Sequence, residues 1–255
     1  MQSAKKNILA SLVEGQLWTL HTTGNRFLSI VEVYNNALIV KTTAGLVLIN
    51  PPSSTPNCIE AVRQLAKSQR LSVCTLFSPG DWHHFHLQTW ANAFPDAELY
   101  VASPRVLKKQ PSLKGRAVVL SRESPSIPVL AATCRLLPWL GSKQPPWILG
   151  GDRKGTDRVE HLVFHLASQT LFITDHVMGP GVMGAKISAN KGGFSKKSGS
   201  SEALKASAKR VLDCRSRRIV FSHGKQDAFV VGDGTPAAEE EIHAQLTKAY
   251  RFFGL

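Results

Sequence analysis

A short stretch of the sequence, "SPGDWHHFHLQTW" at residues 78 to 90, crowds one aspartate and three histidines between an apolar run and a helix-like segment. Imidazole and carboxylate groups are protein ligands that zinc, iron and manganese accept. Two further polar residues stand where apolar runs stop, because Asp175 follows "TLFIT" and His223 follows "IVFS". Ligands of layered α/β proteins gather at the carboxyl ends of strands, so we expect these three places to converge. The stretch is then a metal site, the remains of one, or a turn that merely contains histidine.

The segments that must position these residues alternate between strand and helix patterns. β-Branched and large apolar residues predict a meander of strands up to about residue 50, followed by a helix that Thr55 caps and Pro56 opens. A strand, the histidine turn, a second helix and another strand come next. The stretch from about 105 to 158 predicts only loops and short strands, since it is rich in proline.

The second half of the chain begins with a predicted hairpin, "RVEHLVFHL" and "TLFITDHV", joined by a short break. A stretch rich in Gly, Ser and Lys at about 178–201 predicts a flexible basic loop that borders a binding site. Helix, strand and helix follow. This order predicts one layered α/β domain over residues 1–255.

Composition limits the classes of function. The four cysteines stand singly in the sequence, which indicates reduced core residues. No segment approaches the length of a membrane span or of a signal-peptide core. We therefore expect a cytoplasmic protein. Lys and Arg exceed Asp and Glu by 31 to 18, a net charge of +13, which favours anionic partners. Much of the surplus lies at 186–218, either a solvated basic face or a surface for phosphate or nucleic acid.

Three motifs, "PGDWHH", "LFITDH" and "FSHG", occur in the order in which the metallo-β-lactamase superfamily carries its own. That superfamily has an H-x-H-x-D-H turn between strand and helix, a later aspartate at a strand end, and a final strand-end "GH". The chain resembles it in having a counterpart of each. The resemblance spans about residues 14 to 225 and is closer still to a branch with a degenerate turn, in which a paired "HH" and "PDAELYVA" remain. It implies an αββα sandwich, with mixed sheets covered by helices.

The resemblance also implies a damaged first metal site. By position, the first two histidines of the family motif fall on Pro79 and Asp81, and proline cannot bind a metal. The histidine that precedes the family's hairpin has Glu160 or His161 as its nearest counterparts. One metal ion is therefore expected rather than two.

The second metal site is better preserved, although the family's aspartate falls on His83 and its last histidine on His84. The expected ligands are His83, His84, Asp175 and His223, and the expected catalytic carboxylates are Asp81 and Asp175. This set suits one divalent ion, zinc first and iron or manganese otherwise, while a site without metal is the alternative. Adjacent residues of an extended chain point in opposite directions, so His83 and His84 share an ion only if the turn is irregular. Asp175 could instead cap a turn.

The leading functional hypothesis is a metal-dependent hydrolase of a small ester, amide or phosphoester, and the net positive charge favours an anionic one. The first alternative is a protein of the same fold that has lost hydrolysis and serves as a binding or accessory module. The second is a protein that binds or processes nucleic acid through the basic stretch at 186–218.

Overall fold

The computed structural model describes residues 9–22, 26–27, 31–32, 35–144, 156–180, 182, 185–190, 201–224 and 228–253. The strands are β1 (Leu9–Val13), β2 (Leu17–Thr22), β3 (Arg26–Phe27), β4 (Val31–Glu32), β5 (Asn35–Lys41), β6 (Leu46–Ile49), β7 (Val73–Ser78), β8 (Glu98–Val101), β9 (Ala117–Val119), β10 (Cys134–Trp139), β11 (Lys143–Gln144), β12 (Thr156–Asp157), β13 (Glu160–His165), β14 (Thr170–Ile173), β15 (Val177–Met178), β16 (Ser188–Ala189), β17 (Arg218–Phe221) and β18 (Val230–Val231). The helices are α1 (Pro56–Gln69), α2 (Leu87–Ala93), α3 (Pro104–Lys109), α4 (Ser201–Asp213) and α5 (Pro236–Tyr250).

Two mixed sheets carry the fold. The first has the order β1-β2-β5-β6-β7-β8-β9, antiparallel up to β6 and parallel from β6 to β9. The second has the order β10-β13-β14-β17-β18, in which only the β14–β17 pair is parallel. The predicted hairpin is confirmed as β13 and β14, which pair Val163 with Phe172.

Apolar side chains between the sheets form a shared core. Val40 and Phe77 of the first sheet belong to the same buried cluster as Val163, Phe172 and Val220 of the second. These strands are buried on both faces, which explains why their sequences are continuous apolar runs rather than alternating patterns.

Helices cover the outer face of each sheet. Val62 of α1 and Trp90 of α2 are buried against the first sheet, and Ala208 of α4 and Leu246 of α5 are buried against the second. The layers therefore run helix, sheet, sheet, helix, as the predicted αββα sandwich requires. Among the described residues, no helix is both long enough and apolar enough to cross a membrane.

Two regions differ from the sequence-based expectation or lie beyond it. The segment "PRVLKK" is helix α3, not a loop, because the Ser103 hydroxyl accepts a hydrogen bond from the Arg105 amide at 3.3 Å and Pro104 takes the first helical position. Of the predicted loop at about 178–201, residues 181, 183–184 and 191–200 lie outside the described part. Strands β15 and β16 pair within the remainder.

Candidate metal centre

The candidate site lies where strands of both sheets end. Strands β14 and β17 run parallel with Ile173 opposite Phe221, so the residues that follow them leave the second sheet side by side. The turn after β7 comes from the first sheet and is tied to the second, because the His161 amide donates to the Pro79 carbonyl at 2.8 Å. Ligand sites at strand ends of α/β sheets arise in this way.

Three of the predicted residues meet at one carboxylate oxygen. The Nε2 atoms of His83 and His223 lie 3.1 Å and 3.0 Å from Oδ1 of Asp175. One ligand atom from each of the three residues lies within 4.8 Å of the other two. His83 and Asp175 are buried and His223 is partly buried, so the cluster has one side open to solvent.

The second oxygen of Asp175 binds an arginine that sequence reasoning missed. Arg158 donates from Nη2 to Asp175 Oδ2 at 2.6 Å, and only 5% of the arginine side chain is exposed. Burial alone would raise the pKa of Asp175, but the charge of His83, hydrogen bonds from His223 and His83, and the guanidinium of Arg158 hold that pKa well below its usual range. Asp175 is therefore a carboxylate anion.

The backbone around Asp175 is fixed by two more buried side chains. Glu160 Oε1 accepts a hydrogen bond from the Asp175 amide at 2.5 Å, and Asn190 donates to the Asp175 carbonyl at 2.8 Å. Glu160 also lies 3.4 Å from Nδ1 of His176, whose other ring nitrogen is 3.2 Å from the Tyr250 hydroxyl. Glu160 thus supports Asp175 and lies outside the three-residue cluster, as does its neighbour His161.

The turns that carry the two histidines are held by separate hydrogen bonds. The Ser78 hydroxyl donates to the His83 carbonyl at 2.7 Å. The buried side chain of Asn36 donates to the carbonyls of Phe221 and Gly224 at 3.0 Å and 3.3 Å, on either side of His223. The imidazoles are therefore presented by fixed turns.

His84 lies apart from the three-residue cluster of His83, Asp175 and His223. Its Nδ1 accepts a hydrogen bond from the Gln110 side-chain amide at 3.4 Å, and its ring stacks on Phe85 with 4.6 Å between centroids. Burial, helped by the nearby charges of Lys109 and His83, lowers the pKa of His84 to about 4. The sequence set His83 and His84 side by side, and the turn directs only His83 to Asp175.

Asp81 is occupied by contacts that fix the turn. It accepts a hydrogen bond from the Ser103 hydroxyl, one from Arg105 Nη1 at 3.3 Å, and one from the Val159 amide at 3.1 Å. The carboxylate therefore joins the histidine turn to α3 and to the residue next to Arg158.

A family of proteins shares this sequence pattern. The family model described as "Domain of unknown function (DUF4336)" matches residues 14–209, more than half of the chain. The chain belongs to the DUF4336 family. No curated protein matches it.

Solved structures place this DUF4336 chain in the metallo-β-lactamase fold, as the resemblance predicted. FIM-1 from Pseudomonas aeruginosa, in its mono-zinc form, is 14% identical with a TM-score of 0.61 over 94% of this chain and 95% of that one. The metallo-β-lactamase from Erythrobacter litoralis is 13% identical, with a TM-score of 0.61 over 94% and 96%. That from Hirschia baltica is 14% identical, with a TM-score of 0.60 over 93% and 96%.

The donor set of the DUF4336 chain fits one divalent ion. Bonds from zinc to imidazole nitrogen and carboxylate oxygen are about 2.0–2.2 Å long, so ligand atoms on one ion lie about 3–3.5 Å apart. The separations of 3.1 Å and 3.0 Å between the two imidazole nitrogens and Asp175 Oδ1 match that spacing. Two imidazoles and a carboxylate also suit iron or manganese.

The basic stretch at 186–218 is largely tied to the protein itself in its described part. Arg215 and Arg217 both pair with Glu239 of α5, at 2.8 Å and 3.2 Å. Lys209 pairs with Asp213 at 2.7 Å. The contacts with Glu239 hold Arg215 and Arg217 against α5, while Lys191, Lys196 and Lys197 lie outside the described residues.

Proposed function

We propose that this DUF4336 chain is a metal-dependent hydrolase of a small ester, amide or phosphoester, with one divalent ion held by His83, Asp175 and His223. The observation that carries the proposal is the convergence of two imidazole nitrogens on one oxygen of a buried carboxylate. The mono-zinc form in which FIM-1 was solved supports the single ion, since a site of this fold accommodates one zinc there.

Two contacts favour one ion over two. The guanidinium of Arg158 takes the second oxygen of Asp175, so that carboxylate does not offer both oxygens to metal. Asp81, which replaces a histidine of the family motif, is bound to Ser103, Arg105 and the Val159 amide. A fixed positive charge thus stands beside the place where a second ion would need ligands.

The proposed metal ion and the side chains around it have separate roles. A divalent ion supplies Lewis acidity that polarises a substrate oxygen and makes water more acidic. Asp175 contributes its anionic charge, which the positive charge of Arg158 balances. Asp81 positions the turn and Val159, and through Val159 the neighbouring Arg158.

Metal content tests this proposal directly. We expect protein purified without added ions to contain about one equivalent of zinc, iron or manganese by elemental analysis, and the variants His83→Ala and His223→Ala to lose it. His243→Ala, on α5 and outside the cluster, is the matched control and should retain the metal.

Well-folded wild-type protein that binds no added zinc, iron or manganese would overturn the hydrolase proposal and favour the non-catalytic accessory module. Metal retained in His223→Ala would refute the ligand assignment. Binding to nucleic acid stays a prediction from sequence, and the pairing of Arg215 and Arg217 with Glu239 does not favour it.

A further inference from the structure

Two cationic side chains, Lys109 and Arg158, lie over the ring of Trp82 next to the candidate metal centre. Arg105 and Lys109 lie four residues apart on α3, a spacing that puts them on one face of the helix. Arg158 comes from the residues that precede β13. Two separate parts of the chain therefore bring positive charge to the same turn.

We name Lys109 and Arg158, together with Arg105 on the same face of α3 as Lys109, the Trp82 cation cluster. The ammonium of Lys109 lies 4.1 Å from the centre of the Trp82 ring, and the guanidinium of Arg158 lies 5.9 Å from it. The indole thus holds two cations near one another, which their mutual repulsion opposes. Burial, and the charges of Arg105 and Arg158, lower the pKa of Lys109 although Asp81 raises it.

The cluster carries more positive than negative charge. Asp81 pairs with Arg105 at 3.3 Å and Asp175 pairs with Arg158 at 2.6 Å. In the described part of the chain, no carboxylate lies within ion-pair distance of Lys109, whose ammonium rests on the indole alone. Among the described residues, Lys109 is thus the cation of the cluster that has no carboxylate partner.

A buried hydrogen-bond donor accompanies this charge. The Gln110 side-chain amide donates to Nδ1 of His84, so Nδ1 is the acceptor and the ring hydrogen sits on Nε2. That Nε2 atom is buried and has no hydrogen-bond partner among the described residues. A buried donor without a partner costs free energy unless a ligand satisfies it.

We propose that His84 and the Trp82 cation cluster, to which Lys109 belongs, form a subsite for an oxyanion of the substrate, a phosphate or a carboxylate group. This inference rests on the proposed function, because it assigns the substrate class of the same site. Lys109 supplies the unbalanced charge and His84 Nε2 the directed hydrogen bond. Phe85 is 67% exposed and stacked on His84, so it offers an apolar rim to the rest of the molecule.

Binding of inorganic phosphate to metal-free protein tests the subsite without relying on catalysis. We expect isothermal titration at constant ionic strength, after chelation and dialysis, to show phosphate binding by the wild type. Lys109→Gln should weaken that affinity about tenfold, as expected for loss of a charged hydrogen-bond partner. Lys108→Gln removes the same charge from the next position of α3, which faces away from the Lys109 contact with Trp82 at about 100° around the helix, and should leave the affinity unchanged.

A second titration with acetate separates the two oxyanions. Tighter phosphate binding identifies a phosphoester substrate, and tighter acetate binding a carboxylate-bearing one; either supports the subsite. Absence of binding by both anions, or equal affinity in Lys109→Gln and Lys108→Gln, would overturn it.

Phosphate binding to the metal-free protein does not depend on the proposed metal ligands. His223→Ala should keep its affinity for phosphate in the metal-free titration, since His223 is not part of the subsite. If the protein binds phosphate but no metal, the hydrolase proposal is refuted and the subsite is not. If it binds metal but no phosphate or acetate, the subsite is refuted and the hydrolase proposal is not.

Discussion

At the scale of single residues, Asp175 shows how much of this site depends on one buried carboxylate. Oδ1 faces two imidazoles and Oδ2 a guanidinium, so the charge is offset by hydrogen bonds on both oxygens. Taking a carboxylate out of water costs several kcal/mol, which pairing must repay. Losing one partner of such a buried pair is therefore more harmful than losing a surface ion pair.

Arg158 is the partner whose loss should be most visible in stability. We expect Arg158→Gln to lower the free energy of unfolding by about 3 kcal/mol, because it leaves the Asp175 charge partly unpaired in a buried site. Urea denaturation of metal-free protein measures this. The control Arg217→Gln removes a half-exposed partner of Glu239 and should cost about 1 kcal/mol or less; equal losses in the two variants would contradict the assignment.

At the scale of elements, Asn36 on β5 joins the first sheet to the second. Its backbone N–H donates to the Ser222 carbonyl at 2.7 Å, and its side-chain amide donates to the carbonyls of Phe221 and Gly224. His21 lies 2.5 Å from its side-chain oxygen. A residue of one sheet thus fixes the turn after β17 in the other, and that turn carries a candidate ligand.

Removal of this side chain should loosen both the joint and the metal centre. We expect Asn36→Ala to lower the free energy of unfolding by about 2–3 kcal/mol, because it leaves buried carbonyls without donors. It should also weaken zinc affinity, since the His223 turn loses its support. Asn92→Ala, at an exposed position of α2, is the matched control for urea denaturation and zinc titration. Unchanged zinc affinity in Asn36→Ala would show that the turn holds without it.

At the scale of the whole molecule, the two-sheet sandwich buries titratable groups in its interior. His161 on β13 is fully buried, and burial lowers its pKa from 6.5 to about 4. Between those values the unfolded chain binds a proton that the folded chain does not. Stability therefore falls as the pH is lowered through this window, and it levels off below pH 4.

His161→Gln removes that proton uptake and should flatten the profile. Across the full window His161 contributes about 3 kcal/mol to the loss of stability, at about 1.4 kcal/mol for each unit of pKa shift. Urea denaturation of both proteins between pH 7.5 and pH 5 gives the slopes, and the upper end serves as internal control because the imidazole is neutral in both states there. Parallel profiles down to pH 5 would rule out this assignment.

The sequence by itself determined which residues stand at strand ends and how the layers are built. Apolar runs fixed β7, β14 and β17, so His83, Asp175 and His223 followed as the polar residues after them. The layered α/β class was predictable from the order of apolar strands and amphipathic helices, while the αββα arrangement came from the resemblance to the metallo-β-lactamase superfamily.

Only the tertiary structure decided which neighbouring groups share the site. His83 and His84 are equivalent in the sequence, but the turn directs one to Asp175 and the other to Gln110. Arg158 has no local signal, because its partner Asp175 lies 17 residues away, after the neighbouring strand β14 of the same sheet. The start of α3 has a local signal in Ser103 and Pro104, although only loops and short strands were predicted there. The contact of Lys109 with Trp82 depends instead on long-range packing that spacing along the chain does not encode.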